Sequence, residues 1–142
     1  MLVRLLYASR ADAVGTDIIE SILQQCRSHN PAIGITGVLC HGGDVFMQVL
    51  EGGRREVNDL YNLIARDPRH RDVTLLHYEE MAERRFSGWT MGQVNLARIN
   101  PSVVLKYSER PVLDPFAVSG AASMAMLEEL IATASIVGRA GC

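Results

Sequence analysis

The sequence predicts an α+β fold, a ferredoxin-like βαββαββ sandwich, followed by a C-terminal helical extension. Three observations predict it. Strand-like and helix-like stretches alternate through the first 95 residues. Two of those stretches are amphipathic at helical spacing, and each must bury its stripe against a shared sheet. A Gly-Gly-Asp turn joins two β-branched runs, the mark of a hairpin.

Each element has its own reason. Leu2–Tyr7 is a short apolar run broken only by Arg4, as in a buried strand. Thr16 is placed to cap a helix whose start holds Asp17 and Glu20. Ile18, Ile19, Ile22, Leu23 and Cys26 then recur on one helical face. That pattern stops before Asn30-Pro31, because a residue ahead of proline is pushed out of the α region. Ile35–His41 and Val45–Leu50 flank the Gly42-Gly43-Asp44 turn, and Gly52-Gly53 ends the hairpin. Val57, Leu60, Tyr61 and Ile64 give the second helical stripe, which ends near Asp67-Pro68. Val73–Tyr78 is a further strand, and Phe86–Val94 holds a loop and one last strand. Pro101, Pro111 and Pro115 then punctuate a linker-like stretch with a short helix near Ser102–Tyr107. Phe116–Val137 carries only Glu128 and Glu129 as charges among good helix formers. A helix this apolar must pack on something, either the open face of the sheet or another subunit. Residues 1–97 are therefore expected to form one unit, and 98–142 a helical extension serving output or self-association.

Composition removes several classes. The chain of 142 residues is one domain's worth, with 48% hydrophobic and 21% charged residues. With 14 basic and 16 acidic side chains the net charge is −2, so a mainly electrostatic nucleic-acid binder is not expected. No apolar run reaches the roughly 20 residues that span a bilayer, and the N-terminus lacks a signal-peptide layout. Three scattered cysteines (Cys26, Cys40, Cys142) form no CxxC pair, which fits a reducing cytoplasm. The four histidines have no metal-ligand spacing, so no metal is expected. No nucleophile elbow, dinucleotide fingerprint or phosphate loop occurs either.

A few residues stand out against this background. Gln48 sits inside a run that should be buried, on the face shared by Phe46 and Leu50. Two donors and two acceptor sites must then be satisfied, by backbone or by a ligand. Tyr7 ends the first strand on the face of Val3 and Leu5, as a core tyrosine or a functional one. Asn30 reads most simply as a turn residue. Arg66, Arg69, His70 and Arg71 follow one another at the end of the second helix. They form a solvated face, or a grip on an anionic ligand that guanidinium forks would match.

As an ordered set these residues carry a resemblance. Leu6-Tyr7-Ala8-Ser9, His29-Asn30-Pro31, Gly34-Ile35-Thr36-Gly37, Phe46-Met47-Gln48-Val49-Leu50-Glu51-Gly52, Asp67-Pro68-Arg69-His70 and Arg85-Phe86-Ser87-Gly88-Trp89-Thr90-Met91 resemble the BLUF family of blue-light sensors. The likeness covers residues 1–95 and extends to a tail like that of the short members without a fused output domain. It implies FAD bound noncovalently between the two helices, with FMN or riboflavin as alternatives because the adenine end is weakly read. It also implies a photosensor rather than an enzyme. Tyr7 would pass an electron and a proton to the excited flavin, and Gln48 would bridge that tyrosine and the ring. Asn30 and His29 would contact the ring polar edge, with Ile22 and Ile64 as its aliphatic sandwich. Arg66, Asp67, Arg69 and His70 would lie toward the ribityl-phosphate end. Ser9, Trp89 and Met91 would be neighbours of the switch, the last two as alternates beside Gln48. His29 and Ala8 are the departures, standing where other members carry asparagine and serine. The output would go to a separate signalling protein, and the apolar tail would favour a homo-oligomer. A flavin oxidoreductase and an acylphosphatase-like hydrolase on the same fold are the enzymatic alternatives.

Overall fold

A computed structural model describes residues 1–11, 16–112 and 114–132, apart from the side chains of Thr16 and Ile131. The chain runs β1 (Leu2–Arg10), α1 (Thr16–His29), a 3-10 turn (Asn30–Ile33), β2 (Thr36–Gly42), β3 (Val45–Gly53), α2 (Arg54–Arg66), β4 (Arg71–Met81) and β5 (Gly92–Asn95). A short 3-10 turn (Leu96–Arg98), α3 (Pro101–Tyr107) and α4 (Gly120–Ala132) follow. This is the expected βαββαββ order. The strands form one sheet in the order β4-β1-β3-β2-β5, antiparallel except for the β2–β5 pair.

Alternation along the two central strands divides the interior in two. Val3, Leu5 and Tyr7 of β1 and Phe46 and Leu50 of β3 face α1 and α2, where Ile19, Ile22, Leu23 and Val57 join them. Leu6, Met47 and Val49 point the other way, toward Phe86, Trp89 and the α4 residues Met124, Met126, Leu127 and Leu130. The molecule is thus three-layered, with two helices on one face of the sheet and α4 on the other. α2 packs closely on β1, β3 and β4, whereas α1 approaches the sheet less closely and lies mainly against its own 3-10 turn.

Two glycines fix close approaches that no other residue allows. A Cβ on Gly37 would lie 2.0 Å from the Val49 carbonyl oxygen, so β2 can approach β3 this closely only with glycine at that position. A Cβ on Gly120 would lie 2.0 Å from the Leu76 carbonyl oxygen, where α4 begins against β4.

Several boundaries differ from the sequence reading. β1 continues past Tyr7 to Arg10, because Ala8 and Ser9 still pair with Met47 and Phe46. β4 is longer at both ends than Val73–Tyr78. The C-terminal helix begins at Gly120 and not at Phe116. Residues 115–117 form a turn, and the Ser119 hydroxyl accepts from the Ala122 amide at 3.0 Å as an N-cap. Residues 133–137 of the expected helix, Cys142 and the capping side chain of Thr16 lie outside what is described. Among the described residues of α4, Met124, Met126, Leu127 and Leu130 are buried in the cluster under the chain's own sheet. Among the described residues no helix is long and apolar enough to cross a membrane.

Candidate functional site

The site is built on the α1/α2 face, around the facing pair Tyr7 and Gln48 of β1 and β3. Both side chains are buried, with Tyr7 fully so. The Tyr7 hydroxyl donates to Gln48 Oε1 at 2.5 Å. Burial holds the phenol well above its ordinary pKa, so it stays protonated at any physiological pH. The Tyr7 ring lies 5.8 Å from that of Tyr61 on α2 and 6.1 Å from that of His70.

The other end of the Gln48 amide is less well served. Nε2 donates to Met91 Sδ at 3.4 Å and, more weakly, to Cys26 Sγ at 3.9 Å. Both acceptors are soft sulfurs, poor partners for an amide N–H. Asn30 opens the 3-10 turn after α1 and is buried, and its Nδ2 has no partner at all. Two primary amides thus present donors into one buried region with almost nothing to receive them. A ligand edge carrying N and O acceptors would complete both. The donor set therefore fits a flavin ring, whose rim offers acceptors and one N–H.

The remaining expected residues fall into three groups. Ile22 is buried in the cluster around Tyr7, and Ile64 packs against it from α2. Ser9 Oγ and His70 Nδ1 are 2.7 Å apart beneath Phe46, and burial lowers the His70 pKa, so the ring is neutral near pH 7. At the end of α2, Arg69 grips Asp67 with Nε at 2.9 Å and Nη2 at 2.6 Å from Oδ2, and Nη2 also reaches Gln25 Oε1 on α1 at 2.8 Å. The Arg69 hydrogen bonds hold the Asp67 carboxyl below its ordinary pKa. Two expected residues are not brought to the pair. His29 is exposed at the end of α1. Arg66 is exposed and lines an open depression of about 450 Å³ on the outward side of α2, with Asp59, Asn62 and Leu63.

The two alternates beside Gln48 are separated by the sheet. Met91 reaches Gln48, whereas Trp89 packs with Phe86 among the residues facing α4. Cys26, Tyr61 and Arg27 also belong to the site, the last donating to the Met91 carbonyl at 3.0 Å. Cys26 was visible in the sequence only as one more residue of the α1 stripe. Its spacing, four residues from Ile22 and four from Asn30, was the available signal. Among the described residues no cluster of His, Cys, Asp or Glu could hold a metal ion.

Comparison with known proteins places the chain in a family. The family model for BLUF, sensors of blue-light using FAD, matches residues 2–92. A photoactivated adenylate cyclase subunit beta from Euglena gracilis is 39% identical over 74 residues, which is 51% of this chain and 9% of that one. The chain therefore corresponds to a small part of such relatives. Among solved structures, BlsA in its photo-activated state superposes with a TM-score of 0.82 at 30% identity, covering 92% of this chain and 95% of the other. BlrB, a BLUF protein in its dark state, gives 0.76 at 30% identity, covering 94% and 96%.

Proposed function

The chain belongs to the BLUF family, sensors of blue light using FAD, and from that premise we propose that Tyr7 and Gln48 are its photoactive pair. The observation that carries this is the short buried hydrogen bond from the Tyr7 hydroxyl to Gln48 Oε1, with Gln48 Nε2 facing only sulfur.

Asn30, Gln48, Ile22 and Ile64 would hold the flavin ring, with Asp67, Arg69 and His70 toward its phosphate end. Bound FAD supplies absorption of blue light and an electron acceptor. The chain supplies a proton and a two-state hydrogen-bond switch. Tyr7 is a neutral phenol whose proton already points at Gln48 Oε1. Turning the Gln48 amide over brings Nε2 to the Tyr7 oxygen, which must then accept. It also brings Oε1 to the sulfurs. The Met91 thioether has no proton to give, whereas the Cys26 thiol, kept protonated by burial, has one. Each arrangement satisfies a different set of bonds, and half-turned states leave buried polar atoms bare. Two discrete states are what a switch requires.

Residues 1–97 are the sensor in this reading, and 98–142 present its output to a separate signalling protein. The reading involves no substrate turnover, and it sets the protein in the cytoplasm. Self-association is not needed for it.

An absorption spectrum of the flavin-loaded protein before and after blue light tests the proposal. The expected result is a small reversible red shift that Tyr7→Phe and Gln48→Leu both abolish. Bleaching without a shift would point to the oxidoreductase alternative. A full shift in either variant would remove that residue from the switch.

A further inference from the structure

Segment 82–91 leaves β4 at one edge of the sheet and enters β5 at the other. On the way it crosses the intervening strands, and it is anchored on β3 and on β2. On β3 the anchor is Glu51, a fully buried carboxylate. Glu51 Oε1 accepts from the Phe86 amide at 2.7 Å, and Oε2 accepts from the Arg85 amide at 3.2 Å and from Arg4 Nε at 2.7 Å. Arg4, itself buried on β1, also ties Glu79 of β4. On β2 the Gly37 amide donates to the Trp89 carbonyl at 3.1 Å, and Thr36 accepts from Arg84 at 3.1 Å. The segment then divides its side chains between the two faces. Phe86 and Trp89 pack on Met126 and Leu127 of α4, and Arg85 reaches Glu128 at 3.1 Å. Met91 crosses to the other face and meets Gln48.

Two buried charges in the ladder of a sheet cost desolvation that a pair of apolar residues would not. What the Arg4–Glu51 pair provides in return is a fixed point for two backbone amides of the segment. We propose that Glu51 is a positioning residue of the light response. It is the fulcrum on which segment 85–91 turns, so that a shift of Met91 at Gln48 is converted into a shift of Phe86 and Trp89 against α4. The inference rests on the photosensor reading, since it takes its input from Gln48.

The test uses Glu51→Gln in the flavin-loaded protein. All three partners of Glu51 are donors, so an amide must turn its NH2 toward one of them. The red shift, which depends on Tyr7 and Gln48 on the opposite face, is expected to remain. Its recovery in the dark is expected to change by roughly 2–30-fold, the range seen for residues that modulate coupling. The light-minus-dark difference in hydrogen exchange at residues 120–132 is expected to disappear. A lower melting temperature with wild-type recovery and wild-type exchange difference would make Glu51 a structural residue only and overturn the proposal. A second measurement does not depend on the variant folding. In the unmodified protein the Arg85 and Phe86 amides should be protected in the dark and change their exchange rate under light. Unchanged rates there, with the red shift present, would overturn the fulcrum alone. Absence of any red shift in the unmodified protein would overturn the sensor reading beneath it.

Discussion

Asn30→Leu should move the stability of the cofactor-free protein and its flavin affinity in opposite directions. The side chain is buried and its Nδ2 has no partner, so in the cofactor-free chain it is a desolvated donor left unmade. Such a group costs about 1–3 kcal/mol. Leucine removes it while keeping the same branching and number of heavy atoms. The net expectation is a gain of about 1–3 kcal/mol. At roughly 3–4 °C per kcal/mol for a chain of this size, the melting temperature rises by about 3–12 °C. With flavin the sign reverses. A ring edge that loses its amide partner in a buried site costs about 1–3 kcal/mol, or about 5–150-fold in Kd. Thermal melts of the cofactor-free protein and a fluorescence titration with FAD read the two quantities separately. A variant that melts well below the unmodified protein and binds FAD equally well would refute the reasoning. Asn30 would then be a core amide whose partner is the protein itself.

Three further outcomes follow from the same geometry. Met91→Ala is expected to alter the dark-recovery rate through its contact with Gln48, whereas Trp89→Phe, on the far side of the sheet, should leave the flavin spectrum and its shift unchanged; flash spectroscopy of the two variants separates them. Leu127→Ala empties a fully buried site under α4 and should cost about 2–5 kcal/mol in denaturant melts, with the red shift retained. Stability should decline as pH falls below about 6.5, because His70 has a lowered pKa in the folded state and the unfolded chain takes up its proton first. The loss is complete once the pH is below the folded value, and melting temperatures of His70→Asn across the same range should lack that part of the slope.

The element order was legible because each strand and helix announces itself by its own period. The hairpin was read from its turn, and the two helices from their stripes, without reference to anything distant. Tyr7 and Gln48 were noticed as polar groups in apolar surroundings and Asn30 only as a turn residue, and their conjunction came from an ordered motif set. What stayed hidden depends on which way a loop residue points. Trp89 and Met91 are two residues apart in a segment with no regular period, so alternation could not assign them to faces. Cys26 was absorbed into the α1 stripe because sulfur and aliphatic carbon look alike to a hydrophobic pattern. Arg4 and Glu51 are 47 residues apart, and their pairing exists only because β1 lies beside β3 in a register that sets them opposite each other. The one sequence signal was a charge of opposite sign in each of two otherwise apolar strands. Similarly, the tail's apolar excess predicted a covering without saying that the chain's own sheet would supply it.

The division of β3 bears on how such a chain tolerates change. Residues 46, 48 and 50 look toward α1 and α2, while 47, 49 and 51 serve the α4 side and its anchor. Point substitutions can therefore remodel one side while leaving the other almost untouched, so the output surface is free to diverge under a constant photochemistry. A single-residue insertion or deletion within 46–51 has no such freedom. It would reverse the facing of every residue on one side of the change, so that Phe46, Gln48 and Leu50 on one face and Met47, Val49 and Glu51 on the other could no longer be presented together. Length variation in this lineage should accordingly fall at the 42–44 turn, where Gly43 has open space around it, and not within the strand.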